Sequence, residues 1–185
     1  MSYNLFTNDN FTAVLFFKGE KNDLISLYKE LKQVFNPTET ILSILDLNTF
    51  DFNDFDIDSP FEDDETIRKI IFHKGEQQLT LEYYRGQFLV EHLLRADIKE
   101  GYHVIKSLFH KCDETAILIL GFELSLDISS FSESMEETKH DKSLHPITVI
   151  EKASNGSLEK NVITVISDSD WSKERIKFYD NYFKS

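Results

Sequence analysis

Hydrophobic positions recur along this chain at two spacings, every second residue or in unbroken short runs, and every third to fourth residue. Phe11-Thr-Ala-Val-Leu-Phe-Phe17 is a continuous β-branched and aromatic run followed by Lys18-Gly19, the pattern of a buried strand that ends in a turn. Leu24, Leu27, Tyr28, Leu31, Val34 and Phe35 then fall at helical spacing, with Lys21, Lys29, Glu30 and Lys32 on the other face. That period predicts an amphipathic helix over about 22–35, with Asn22 or Asp23 as its cap and Asn36-Pro37 as its stop. Ile41 to Leu47 returns to a strand pattern. The N-terminal part therefore reads as a βαβ-like unit whose helix can serve as a right-handed parallel crossover.

Residues 67–73, 77–84 and 87–94 are three strand-like runs separated by Lys74-Gly75 and Arg85-Gly86, where glycine supplies the positive φ of a tight turn. They predict a three-stranded antiparallel meander. Asp97 and Glu100 have capping-box spacing, and Ile98, Tyr102, Ile105, Leu108 and Phe109 form one apolar face of a helix to about Lys111. Thr115 to Phe122 is apolar on both alternating faces, as in a central strand, and Glu123, Ser125 and Asp127 then alternate with Leu124 and Leu126. Residues 129–145 are Ser-, Glu- and Lys-rich with little periodicity, which predicts a mobile loop or a minor lobe boundary. Ile147 to Ile150 and Val162 to Ile166 flank Asn155-Gly156 as a closing hairpin, and a last helix from about Trp171 aligns Phe178, Tyr179, Tyr182 and Phe183 with that tryptophan. The expected architecture is α+β: a mixed, mainly antiparallel sheet with about three helices.

Composition fits one domain over residues 1–185, because 41% hydrophobic residues, among them 16 Phe and 7 Tyr, suffice for one core. The longest apolar run, Ala116 to Phe122, is far short of a membrane span, and Met1-Ser-Tyr-Asn-Leu5 lacks the cationic start of a secretory signal. Cys112 is the only cysteine, so no internal disulfide forms. These features lead to the expectation of a cytoplasmic protein.

Charge is distributed unevenly. No lysine or arginine occurs between Lys32 and Arg68, and that stretch holds ten acids, nine of them from Asp46 to Glu65. A net charge of −13 disfavours direct contact with nucleic acid or anionic lipid, since every phosphate contact needs a cation. Within the acidic stretch Phe50, Phe52, Phe55, Ile57 and Phe61 interleave with the carboxylates, and a register break at Asn53 would let the alternation resume one residue late. Filling the core from an edge strand and loop accounts for those apolar residues. The carboxylates repel one another, and a basic partner relieves that repulsion.

Candidate chemistry is sparse. Asp54, Asp56, Asp58 and Glu65 have the spacing of calcium ligands in an EF-hand loop, but Ser59 stands where the turn demands glycine, Pro60 follows, and no helical period precedes them. A solvated acidic loop is the better reading. His103 and His110 are two helical turns, about 10 Å, apart, too far to share one ion, and His140 with His145 lack a second ligand pair. No phosphate loop, nucleophile elbow or zinc-protease motif occurs, and a constellation such as Tyr83, His92 and Glu82 has no distinguishing spacing. No cofactor or metal is expected. The basic residues from Arg68 to Lys111 are expected to pair with that acidic stretch, within the chain or between chains.

The sequence thus points to a non-catalytic protein that binds a basic protein partner through Asp51, Asp54, Asp56, Asp58, Glu62, Asp63, Asp64 and Glu65. An inhibitor or immunity protein that covers the basic site of a nuclease toxin has this character: carboxylates mimic phosphate charge, phenylalanines add anchor area, and the field speeds encounter. Two other classes are compatible with the sequence, a structural or adaptor subunit acting through homo-oligomerisation and an enzyme whose site is assembled from distant residues.

Overall fold

The structure, a computed structural model, describes residues 10–58, 65–95, 101–122, 124–140, 146–163 and 170–184. Nine strands form one sheet, β1 (Asn10–Lys18), β2 (Glu39–Asp46), β3 (Phe52–Asp54), β4 (Thr66–Lys74), β5 (Gln77–Tyr84), β6 (Gln87–Arg95), β7 (Ile117–Phe122), β8 (Ile147–Lys152) and β9 (Leu158–Ile163). Their order is β3-β2-β4-β5-β6-β1-β7-β8-β9, and every neighbouring pair is antiparallel. Four α-helices accompany it, α1 (Asp23–Phe35), α2 (His103–Lys111), α3 (Phe131–His140) and α4 (Asp170–Lys184), with a 3-10 turn at Ile128–Ser130. The fold is α+β. None of these helices is long and apolar enough to cross a membrane.

The first face of the sheet carries the larger core, packed beneath α1, α2 and α4. Phe11 is its hub: its ring centroid lies 4.9 Å from Tyr182, 5.0 Å from Phe178, 5.7 Å from Phe122 and 6.1 Å from Tyr179. Aromatic side chains from two strands and the last helix thus meet around one ring, each pair adding roughly 0.5–1.5 kcal/mol beyond its buried area. Lys106 reaches across to donate to the Tyr182 carbonyl at 3.0 Å, tying α2 to α4. The second face is covered by α3 and the 3-10 turn, and Phe131 stacks on Phe16 at 3.8 Å.

Local chemistry explains most element ends. Asn36 closes α1 in the left-handed conformation, φ 51°, and donates its N–H to the Lys32 carbonyl at 3.0 Å before Pro37 forbids continuation. Asn22 precedes α1 without a side-chain cap; Asp23 instead accepts the Glu20 N–H at 2.9 Å. The β5–β6 hairpin turns through Arg85 and Gly86, both at positive φ, as a two-residue loop with that twist requires. Leu124 and Leu126 are buried and Ser125 and Asp127 exposed, so the alternation after β7 holds, although β7 itself ends at Phe122.

Two expectations of the fold need correction. β1 and β2 run in the same direction but are not partners: β4, β5 and β6 intervene, because β6 pairs with β1 and β4 with β2. The helix α1 therefore spans the meander instead of joining adjacent parallel strands, and the sheet holds no parallel pair among the described residues. Residues 129–145 do not form a loop throughout, since α3 occupies Phe131–His140 and buries Phe131, Met135 and Thr138 on the second face. The four α-helices among the described residues agree roughly with the expected three. Asp97, Ile98 and Glu100 of the proposed capping box, Glu123, His145 and residues 164–166 of the closing hairpin lie outside the described residues, as does the Trp171 side chain.

Candidate functional site

The acidic stretch is a hairpin at one end of the sheet. β2 ends at Asp46, whose carboxylate accepts the Asn48 N–H at 2.8 Å and the Thr49 N–H at 3.4 Å, an Asx turn that starts the reversal. The Phe50 N–H returns to the Asp46 carbonyl at 2.7 Å, and the Asp46 N–H donates to the Asp51 carbonyl at 3.1 Å. Phe50 sits at this apex with φ 56°, and 73% of it is exposed. A large aromatic residue in a backbone conformation that costs energy for anything but glycine is held there by the surrounding hydrogen bonds.

From the apex the chain enters β3, which pairs Phe52, Asn53 and Asp54 with Leu45, Ile44 and Ser43. Asn53 thus lies inside the strand and the register does not break there; the chain leaves the sheet after Asp54. Phe55 and Ile57 turn back, half-buried against the first core, and the Arg68 guanidinium stacks 5.3 Å from the Phe55 ring centre. The Asp56 carboxylate accepts the Asp58 N–H at 3.1 Å in a second Asx turn. Asp51, Asp54, Asp56 and Asp58 are all solvent-exposed. Glu65 is exposed as well but engaged, its Oε1 lying 2.6 Å from an Arg85 guanidinium nitrogen. Glu62, Asp63 and Asp64, together with Phe61, lie outside the described residues, as does the Phe52 side chain.

The apolar residues of the stretch therefore divide: Phe55 and Ile57 serve the core, whereas Phe50 does not. The calcium-like spacing places Asp54 on a strand and Asp56 in a turn after it, with a β-hairpin upstream where an EF-hand has a helix. Among the described residues no group of three or more acidic, His or Cys side chains could hold a metal ion. Of the basic residues of the meander and α2, Arg85 pairs with Glu65 inside the acidic stretch, whereas Lys69, Arg95 and Lys111 pair with Glu82, Glu76 and Glu30 outside it.

Tyr83, His92 and Glu82 are not brought together. Tyr83 and His92 face the first core, where the Tyr83 hydroxyl accepts the Gly86 N–H at 3.1 Å and His92 bonds Gln77 at 3.1 Å. Glu82 projects from the opposite face. Complete burial pushes the His92 imidazole down to about 4, with His103 adding to the effect, so the ring is neutral at physiological pH. His103 and His110 are exposed on α2. Burial pushes the Cys112 thiol up to about 11, well away from a reactive thiolate.

A polar cavity of about 190 Å³ on the second face escapes sequence reasoning. Glu82 and Glu91 on β5 and β6 share it with Lys69 on β4, and the segment 124–126 closes it from above. Its signal in the sequence is that Glu91, followed by His92, interrupts the apolar run from Phe88 to Leu94. Compared with protein-family models, curated proteins and solved structures, the chain matches none.

Proposed function

We propose that this chain is a non-catalytic binding protein of the cytoplasm whose acidic hairpin occupies a basic site on another protein, in the manner of an inhibitor or immunity protein for a nuclease toxin. The observation that carries the reading is Phe50, 73% exposed at the hairpin apex, beside the exposed carboxylates of Asp51, Asp54, Asp56 and Asp58. Aromatic anchors at the centre of charged rims supply most of the affinity in protein interfaces, while the rim charges set encounter rate and specificity. The hairpin is also a sheet edge, where aspartates discourage indiscriminate strand pairing and leave recognition to side chains. Carboxylates along this edge would take the place of phosphates in a nuclease cleft, and Phe50 the place of a stacked base.

The test is affinity capture from host lysate in low salt with three baits: the native chain, a variant with Asp51, Asp54, Asp56 and Asp58 changed to Asn, and Phe50→Ser. The reading expects a basic protein retained by the native bait, released by salt, and lost from both variants, and it expects the retained protein's nuclease activity to be inhibited by the native chain. Capture that is equal on all three baits would overturn it.

A further inference from the structure

The polar cavity on the second face lies over β4, β5 and β6, whereas the acidic hairpin is formed by β2 and β3. Its floor is three adjacent strands in register: Lys69 of β4 faces Glu82 of β5, and Thr80 of β5 faces Glu91 of β6. Its roof is the segment Leu124-Ser125-Leu126, which folds over the sheet after β7. Gly121 permits that close return, since a Cβ there would come within 2.8 Å of the Leu124 side chain.

The lining is unbalanced in charge. Lys69 lies 3.0 Å from the Glu82 carboxylate, and the charges of both reach Glu91 without a hydrogen bond to it. No described residue donates a hydrogen bond to the Glu91 carboxyl, which is half-buried on the fifth of nine strands, directly across from Val14 of β1. A carboxyl group at the middle of a sheet, facing one occupied ion pair, thus has no hydrogen-bonded counter-charge of its own. Hydroxyl and amide acceptors surround the same space, from Thr80, Gln78 and Ser125.

We propose that this cavity binds a small primary ammonium ion on a short aliphatic stem, with Glu91 as its counter-ion. Three ammonium hydrogens match the acceptors of Glu91, Thr80 and Ser125, and because the lining is mostly polar the stem must be short. An inorganic divalent ion fits poorly, because the cavity offers two carboxylates, one of them already held by Lys69. The volume admits roughly six non-hydrogen atoms at the ~30 Å³ that a water molecule occupies in the liquid. Burial, reinforced by the nearby charge of Glu82 and opposed by that of Lys69, raises the Glu91 carboxyl from 4.5 to about 7. Near neutral pH the ligand cation therefore enters as a proton leaves Glu91 for solvent, so charge in the cavity is conserved.

Ethanolammonium and ethylammonium chlorides are the probes, tetramethylammonium chloride the control, and the readouts are calorimetry and the NMR signal of the Glu91 carboxyl carbon. Saturable binding with a dissociation constant on the order of a millimolar or tighter is expected for the primary amines. Affinity is expected to be about tenfold higher at pH 8 than at pH 6, with about half a proton released per cation bound at pH 7. Glu91→Gln keeps the shape and the fold, checked by its melting curve, and is expected to lose binding at least tenfold. A Glu91 signal that no primary amine moves at pH 8, tetramethylammonium binding as well as ethylammonium, or undiminished binding by Glu91→Gln would each overturn the proposal.

Discussion

Replacing Glu91 by Gln should stabilise the fold, and by an amount that depends on pH. In the native state burial holds this carboxyl protonated to about 7, against 4.5 for an ordinary glutamate. The folded state thus binds the proton more tightly than the unfolded chain. Stability contributed by this group is intact below pH 4.5, is lost as pH rises, and is gone above pH 7. A displacement of two and a half units at 1.36 kcal/mol each amounts to roughly 3 kcal/mol by pH 8, but less than about 1 kcal/mol at pH 5. Gln keeps the shape and never ionises. Urea unfolding at the two pH values, native against Glu91→Gln, measures the difference directly, because every other titrating group is common to both chains. At pH 8 the variant should be more stable by roughly 3 kcal/mol, a melting point higher by roughly 6–12 °C for a chain of this size. At pH 5 the two should nearly coincide. An equal difference at both pH values, or a less stable variant at pH 8, would refute the electrostatic reasoning, since it would mean that Glu91 is hydrated or paired in the native state.

His92 should act in the opposite sense over a neighbouring range: burial lowers it from 6.5 to about 4, so stability falls as pH drops from 6.5 towards 4, by roughly 3 kcal/mol in all, and the paired change His92→Leu with Gln77→Leu should flatten that acid limb in urea titrations. Phe11→Ala removes the ring around which five aromatic side chains gather and should cost roughly 3–5 kcal/mol by chemical denaturation. Gly121→Ala forces its new methyl group against Leu124 and should cost about 1–3 kcal/mol while increasing hydrogen exchange at 124–126. Phe50→Ser should leave the unfolding free energy in urea unchanged to within about 0.5 kcal/mol, because the residue is exposed, and that silence in stability would separate a loss of partner binding from unfolding.

What the sequence disclosed and what it hid follow from the range over which each signal acts. β1 and α1 were legible because their patterns are local: a run of seven residues with six apolar, then apolar residues at helical spacing, ended by Asn36-Pro37. The meander was legible for the same reason, with glycines at both turns. The partnership of β1 with β6 was not, because strand neighbours in an antiparallel sheet can lie many residues apart and an apolar strand is compatible with any apolar neighbour. α3 was missed because its buried face is thin, resting on Phe131, Met135 and Thr138, and the rest of its sequence resembles a solvated loop. In the acidic stretch the carboxylates were legible as exposed, while the separate fates of Phe50 and Phe55 depended on the Asx turn at Asp46 and the guanidinium of Arg68. The cavity of Glu91 was hidden most deeply, for it exists only where three strands and the returning segment 124–126 converge.

The central claim is that the exposed carboxylates of the hairpin steer a basic partner onto Phe50, and the association rate measures it most directly. Stopped-flow binding of the captured partner at about 0.05 M and 0.5 M salt, where the screening length falls severalfold, should show the rate dropping by about tenfold or more for the native chain. The variant with Asn at positions 51, 54, 56 and 58 should be slow and nearly indifferent to salt. A native rate that does not change with salt, or a neutralised variant that binds as fast as the native chain, would contradict the account.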